Sequence, residues 1–578
     1  MSSEPAPDPL PHRRPSSGSS IEPLLIVATS LVVAAPFLFG RVPAGHDAYS
    51  YLLMLHETVA NAREGFFLPA WGGDANAGWG TPALLFYPPM TLWAAAPFVL
   101  AGLHGSTALA IVAVLLLAGS GLALRAWLRA AGFGEGALAA SLFYVVAPYR
   151  LVDLFERSAL AENTSFLFAP LLLLAATSRR PSEPRRVALV ALATGALVLS
   201  NLPQAVLFGL LVAALIPTSV VPSPHRPAML LGGLLGLAVA AIALVPQALS
   251  GRLLRVEQWY GAASRIFRPS ANALFDPEAA DRIFNVRVSG ALLATAALAL
   301  LAFAGCRPER RRTAIPWLAA IGAGLLLATG PAGLLWEKTP ILDRLQFPWR
   351  TTGPMTFATA AILVLVPFGR RRALVLLLAA AAAAPFWGRG TIPRRDLRPR
   401  TVAEAARAQQ LRPEALVATG AETLHPNLEN PNLREIWLVP RTVGAMAMAD
   451  LAGRHSPAFD PIRDRPFALR GEGYARQLSL RRLDRSIRVV LLQPTRLVWH
   501  SWCFVGMSGE VDGTPVAVLP EPETGIASID LPAGRHEVRW RWRPEGALAA
   551  GRWISGLALA VALALLLVRS DSGENRGS

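Results

Sequence analysis

The sequence predicts a polytopic α-helical membrane protein of about twelve spanning helices, with one mainly-β extracytoplasmic domain near its C-terminus. Three observations lead there. Hydrophobic residues make up 53% of the 578 and charged residues only 16%, against roughly 25% charged in soluble domains. The apolar residues run in continuous blocks. Arginine clusters punctuate those blocks.

The clear blocks are Ile21–Gly40, Ala108–Leu124, Ala228–Val245, Ala291–Ala304, Ile315–Ala328, Met355–Phe368 and Ala373–Phe386. Shorter ones are Ala137–Ala147, Phe166–Ala176, Val187–Leu199 and Val206–Val220, and Trp553–Val568 comes last. A bilayer core needs ~20 apolar residues per helix, fewer inside a bundle. Arg125 with Arg129, Arg179-Arg180 with Arg185-Arg186, Arg226, Arg307 with Arg310 to Arg312, and Arg370 to Arg372 each follow a block. The positive-inside rule makes these ends cytoplasmic. Parity then requires that Pro82–Leu103 does not cross. Its Phe86-Tyr-Pro-Pro-Met90 start and Trp93 suit a juxtamembrane or re-entrant segment. A thirteen-span alternative would place several arginines on the wrong side.

The expected organisation is a disordered cytoplasmic N-terminus over 1–20 and a transmembrane domain over 21–387 with a first outer loop at 41–106. A mainly-β outer domain follows over 388–549, then a last span at 550–568 and a cytoplasmic tail at 569–578. Within the outer domain, Val511-Asp-Gly-Thr-Pro-Val516 reads as strand, tight turn and return strand. Val538, Trp540 and Trp542 fall on one face of another strand, with Arg539 and Arg541 opposite. Together these read as a β-sandwich, with helical pieces around Thr401–Leu411. Its role is either to bind or roof a ligand or to act as a structural lid without ligands.

The net charge of +16 is no nucleic-acid signature. Lys338 is the only lysine, and many of the arginines sit between apolar blocks. Cys306 and Cys503 are too differently placed to pair. There is no Walker A loop, HExxH, paired CxxC or GxSxG in a strand-turn-helix setting, so no ATP-driven engine is visible.

Three polar clusters lie at outer ends of spans. In Gly45-His46-Asp47-Ala48-Tyr49, a carboxylate beside an imidazole can serve as a general base. Asp47 can equally cap the amphipathic helix Tyr49–Arg63, and spacing alone favours the cap. In the second cluster Arg150, Asp153 and Arg157 fall at i, i+3 and i+7, one helix face. They either hold a phosphate and orient a hydroxyl or neutralise one another. In the third, Gln346, Trp349 and Arg350 either anchor a helix at headgroup level or form a sugar-stacking, phosphate-binding corner. The loop Gln247–Gly290 adds Arg252, Arg255, Arg265, Arg268, Arg282 and Arg287, either a solvated loop or an anion-attracting surface.

These pieces resemble the GT-C superfamily of membrane glycosyltransferases: Asp47 shortly after the first span, Tyr87-Pro-Pro-Met90, and Arg157-Ser-Ala-Leu-Ala-Glu162. The chain is more closely similar to the bacterial 6-pyruvoyl-tetrahydropterin synthase-related membrane proteins, through Phe86-Tyr-Pro-Pro, Pro148-Tyr-Arg-Leu-Val-Asp with Glu162, and Leu345-Gln-Phe-Pro-Trp-Arg350. The resemblance covers about Ile21 to Phe368. It implies a multi-pass protein of the bacterial inner membrane with both termini cytoplasmic. It also implies a polyprenyl-phosphate sugar donor, a glycan, lipid or protein acceptor, and inverting transfer at the extracytoplasmic face. Asp47 and Glu162 would be catalytic. His46, Arg150, Asp153, Arg157, Gln346, Trp349 and Arg350 would bind substrate. The superfamily often carries two adjacent acids in the first loop; here His46 precedes a single Asp47, so the second acid either comes from elsewhere, Asp153 or Glu162, or is absent. No cofactor and no metal ligand set is expected, a divalent metal standing as the alternative. A lipid-linked-sugar flippase and a non-catalytic assembly protein are the rival functions. A transporter needs polar groups at mid-membrane depth, whereas here they gather at the outer ends.

Overall fold

The computed structural model describes residues 21–73, 75, 79–250, 253, 272–279, 281–340, 342–393, 466–522 and 524–568. Both chain ends, most of the arginines of Gln247–Gly290 and the helical pieces expected around Thr401–Leu411 lie outside the described residues.

In chain order the elements that matter are α1 (Ile21–Val33), β1 (Arg41–Pro43), α2 (Ala48–Arg63), α3 (Met90–Leu100), α4 (Gly105–Ala130), α5 (Gly134–Val146) and α6 (Leu160–Thr177). They continue as α7 (Glu183–Ser200), α8 (Leu202–Leu215), α9 (Arg226–Val239), α10 (Ala241–Ser250), α11 (Arg282–Gly305), α12 (Arg311–Leu327), α13 (Thr352–Leu363), α14 (Arg370–Ala383) and β2 (Thr391–Pro393). Nine further strands, β3 (Phe467–Leu469), β4 (Gly473–Leu480), β5 (Asp484–Leu491), β6 (Thr495–Trp502), β7 (Met507–Val511), β8 (Thr514–Val516), β9 (Leu519–Pro520), β10 (Ile526–Leu531) and β11 (Gly534–Trp542), precede α15 (Gly546–Leu567).

Among the described residues five helices are long and apolar enough to cross a bilayer: α4, α5 with its extension to Glu156, α6, α11 and α15. The number rises to seven if each of two bent pairs, broken by 67° after Val239 and by 83° after Leu327, is one span. The sequence expectation of twelve counted apolar blocks, and blocks do not reveal breaks. Pro36 stands three residues past the end of α1, and proline removes a helix N–H and clashes one turn back. Asn201 adopts an extended backbone before Pro203, ends α7, and caps α8 by accepting the Gln204 N–H at 3.0 Å.

Charge contacts sort the helix ends into two sets. At one end Glu22 of α1 binds Arg125 and Arg129 of α4, at 2.8 and 2.9 Å. There too Arg372 of α14 donates to the Glu135 carbonyl of α5 at 2.8 Å, and Arg185 of α7 to the Leu566 carbonyl of α15 at 3.2 Å. Arg186 satisfies the Ala175 and Ala176 carbonyls at the end of α6 and that of Ser178 just past it, as a cation at a helix C-terminus should. At the other end β1 pairs antiparallel with β2, Arg41 opposite Pro393 and Pro43 opposite Thr391. The exit from α1 thus lies beside the exit from α14. The segment Pro82–Leu103 belongs to this second end. Its α3 has 11 residues and rises about 16 Å, half of a ~30 Å hydrocarbon core.

If the arginine-rich end is cytoplasmic, single cysteines at His104 and Gly134, which flank the ends of α4 and α5, are expected to differ. The first should react with an impermeant maleimide added to intact cells and the second should not; the native Cys306 and Cys503 are buried. Labelling of Gly134→Cys from outside would overturn the orientation.

The distal domain is two facing sheets, ordered β3-β6-β10-β9 and β4-β5-β11-β7-β8. Between them Trp499, Trp502, Trp540 and Trp542 are fully buried with Ile487, Val489, Leu497 and Ile529. Asp512 and Gly513, at φ 52° and 81°, make the tight turn between β7 and β8. Val538, Trp540 and Trp542 point inward. Arg539 and Arg541 bond Asp484 and Glu510 on the other face.

This core contains residues from the first loop. Trp79 stacks on Trp502 at 4.9 Å and Trp71 on Phe504 at 5.7 Å. The Trp502 N–H donates to the Trp79 carbonyl at 2.8 Å. Arg482 pairs with Glu57 of α2, and its N–H reaches Glu64 at 2.8 Å. Gly80, at φ +87°, presses on the Trp71 ring so closely that a Cβ would sit 2.3 Å from it. Gly80→Ala is therefore expected to displace Trp71 and lower the melting temperature, a change read by thermal melting against an otherwise unmodified protein.

Candidate active site

The extension of α5 carries the cluster from Arg150 to Arg157, and its last turn is wound wide. Val152–Glu156 is a π-turn, closed by the Arg157 N–H on the Val152 carbonyl five residues back, at 3.0 Å. Ser158 then takes φ 55°, and α6 starts two residues later. Wide turns of this kind concentrate at functional sites. This turn also breaks the α-helical register on which the i, i+3, i+7 stripe depended.

Arg150 accordingly leaves the stripe. It is fully buried, donates to Ser120 Oγ at 2.7 Å and to the Tyr144 carbonyl at 3.3 Å, and lies over the rings of Tyr144 and Phe166. The substrate-binding role expected for it is not supported by that burial. Arg157 instead turns to three carboxylates: Asp153 at 2.6 Å, Glu162 at 2.7 Å and Asp47 at 3.8 Å. Asn163 holds the other oxygen of Asp153 at 2.9 Å.

Asp47 reaches this cluster because its loop lies along the end of the π-turn. The N–H groups of His46 and Asp47 donate to the carbonyls of Glu156 and Arg157, and the Gly45 N–H donates to Ser158 Oγ. Only glycine fits at 45, where a Cβ would come within 2.5 Å of the Glu156 carbonyl oxygen. Asp47 occupies the position before α2, yet its side chain makes no capping hydrogen bond. It faces Arg157 and is 41% exposed. The cap reading, favoured by spacing alone, is not what the side chain does.

Glu162 is the opposite case. It is 1% exposed and accepts hydrogen bonds from Tyr149, Arg157, Gln204 and Arg350. Four donors on one buried carboxylate leave no room for a substrate proton. For Glu162, expected to be catalytic, the geometry is that of a carboxylate whose acceptor positions are taken up by the protein. It brings Arg157 and Arg350, far apart in sequence, onto one carboxylate at 2.7 and 3.4 Å.

Arg350 donates to the Leu345 carbonyl at 2.7 Å and lies over the Phe347 ring at 4.8 Å. Gln346, at φ 65°, is 3.4 Å from Arg350 through its side-chain oxygen. Trp349 is buried and stacks on Phe347 at 4.5 Å. Phe284 bridges edge-on from Trp349 to His46, at 5.5 and 4.9 Å, and His46 approaches Asp281 at 3.8 Å. The third cluster thus joins the first through aromatic contacts.

Two participants have no counterpart in the sequence reading. Gln204, fully buried, donates to Glu162 at 2.5 Å and to the Arg350 carbonyl at 3.0 Å; its one sequence signal is the capped helix start Asn201-Leu-Pro-Gln204. Glu156 binds Arg287 of α11 at 2.5 Å and lies 3.7 Å from Arg389, just before β2. Among the described residues no three His, Cys, Asp or Glu side chains are grouped to hold a metal ion.

No protein-family model matches this chain, and no curated protein matches it. Solved structures that match include a cryo-EM structure of the arabinofuranosyltransferase AftD from Mycobacteria, at 19% identity and TM-score 0.41, over 67% of this chain and 28% of that one. Two classes of a mutant of that protein match over 90% of this chain. One does so at 14% identity, TM-score 0.42 and 60% of its own length. The other does so at 18% identity, TM-score 0.44 and 41% of its own length. This chain therefore spans less than two thirds of the length of each.

Proposed function

We propose that this chain is an inverting membrane glycosyltransferase that takes a sugar from a polyprenyl-phosphate carrier at the extracytoplasmic face of a bacterial inner membrane. The observation that carries the reading is Asp47, a half-exposed carboxylate relieved of capping and held beside a buried arginine–carboxylate cluster. An acceptor hydroxyl attacks the anomeric carbon and the bond from that carbon to the phosphate oxygen breaks. Asp47 takes the hydroxyl proton, and polyprenyl phosphate departs with its negative charge. Arg157 hydrogen-bonds Asp153 and Glu162 through one nitrogen and faces Asp47 as an ion pair at 3.8 Å, so it chiefly fixes the base. Arg350, tied to Glu162 only at 3.4 Å, is the cation placed to meet the leaving phosphate. Phe347, partly exposed and backed by the buried Trp349, provides aromatic surface for a sugar ring.

The test is sugar transfer from polyprenyl-phosphate pentoses and hexoses by the purified chain in lipid. Arg350→Ala is expected to raise the KM for donor about 10- to 100-fold, the worth of a charge-assisted hydrogen bond. An unmodified protein that turns over none of these donors would overturn the reading.

A further inference from the structure

The π-turn Val152–Glu156 presents charge on a second side. Asp153, and Arg157 after the turn, belong to the cluster around Glu162. Glu156 does not. Its carboxylate is 8% exposed and meets two arginines from distant elements, Arg287 of α11 and Arg389 just before β2. Both approach the same oxygen. Arg287 donates through Nη1 to Oε1 at 2.5 Å, and Arg389 brings Nε to that oxygen at 3.7 Å. These are the polar contacts of the two guanidinium groups among the described residues, and the side chains are 30% and 41% exposed. The other oxygen, Oε2, is buried and has no hydrogen-bond partner.

A carboxylate that serves only as an anchor takes an arginine fork on both oxygens. Glu521 receives Arg470 in this way, and Asp530 receives Arg496. Glu156 instead leaves a buried acceptor bare, which is costly. Two guanidinium charges against one carboxylate also leave a net positive charge. Arg41, in the strand paired with β2, adds a cation that bonds only neutral oxygens of Thr391.

The group is fastened to the first loop. The Glu156 carbonyl accepts the His46 N–H at 3.3 Å, and the Gly390 carbonyl accepts the Ala44 N–H at 2.8 Å. A Cβ at Gly390 would overlap the Phe155 carbonyl oxygen, so the chain from Arg389 into β2 lies directly on the turn. A ligand that completes the group needs an oxyanion for the free N–H donors of both guanidinium groups and a hydroxyl for Oε2. Phosphate meets the first need, because its several oxygens can bridge two forks.

We infer that Glu156, Arg287 and Arg389 form a second anion site, which takes a phosphate with a neighbouring hydroxyl: the phosphate on the two arginines, the hydroxyl on Glu156 Oε2. The inference goes beyond the proposed function and does not depend on it, since the donor phosphate there is assigned to Arg350. The ligand chemistry is shared by a hydroxylated lipid headgroup and a soluble phosphorylated glycan.

Binding of glycerol phosphate to the full chain in phosphatidylcholine nanodiscs, measured by calorimetry, tests it, with methyl phosphate as the probe that lacks a hydroxyl. Glycerol phosphate is expected to bind the more tightly. Arg389→Gln should weaken it about 10- to 100-fold, the worth of a charge-assisted hydrogen bond, with the melting temperature unchanged. Arg389→Lys, which keeps the charge without the fork, should recover part of the loss. Arg350→Ala should leave glycerol phosphate binding intact. Nanodiscs containing phosphatidylglycerol separate the two sources. A headgroup in the site blocks added glycerol phosphate, and a site for a soluble glycan stays open to it; either result supports the site. Absence of saturable glycerol phosphate binding, equal affinity for methyl phosphate, unchanged affinity in Arg389→Gln, or an equal loss in Arg350→Ala overturns the inference and leaves the proposed function standing.

Discussion

Asp47→Asn is expected to cut the rate of sugar transfer about 10²- to 10⁴-fold, the usual cost of losing a general base, while the protein melts normally. The substitution keeps the size of the side chain and removes its capacity to accept a proton. It also keeps the capping ability, since asparagine caps as well as aspartate and a lost cap costs only ~1 kcal/mol. Asp47 makes no capping hydrogen bond in any case, so stability should barely move. The assay is release of sugar from a polyprenyl-phosphate donor by the chain in lipid, run beside a thermal melt. An asparagine variant with a normal melt and full activity would remove Asp47 from the mechanism.

Glu162→Gln is expected to behave in the reverse order, with stability failing first. The carboxylate is buried and receives Tyr149, Arg157, Gln204 and Arg350. An amide in its place turns an NH₂ toward donors and strips a buried guanidinium of its nearest counter-charge. Removing one partner of a buried ion pair costs about 3–5 kcal/mol. Thermal melting in the same lipid should show a large drop, with activity lost alongside it. A Glu162→Gln protein that melts normally yet has no activity would restore Glu162 to a catalytic role.

The two substitutions mark what the sequence could and could not tell. The apolar blocks and the arginine punctuation were legible because partition into a bilayer depends on composition over ~20 residues. The spacing from Arg157 to Glu162 was legible as a motif, and the alternation Val538, Trp540, Trp542 because a strand has period two. The roles inside the cluster were not. An i→i+5 hydrogen bond carries no residue signature, so the π-turn that parts Arg150 from Asp153 and Arg157 was invisible. Asp47 and Glu162 are both acids that reach Arg157, and only burial separates the half-exposed carboxylate from the enclosed one. Gln204 meets Arg350 across 146 residues, a pairing that no local pattern encodes.

The packing of Trp71 and Trp79 into the distal sheets has a consequence for how the protein is made. Glu57 and its partner Arg482 are 425 residues apart. At ~5–20 residues per second, a ribosome needs about 20–85 s to travel between them. Throughout that interval the indoles of the first loop lack the strands they pack against, which are not yet translated. Nascent chains stalled before β6 should therefore show these tryptophans open to quencher and to protease. Chains released after β11 should show them closed. The ribbon of β1 with β2 joins only shortly before the sheets emerge, so the loop has no earlier shelter there. Maturation of this protein is thus a vectorial event, with the late-made sheets returning to close over a segment made long before them.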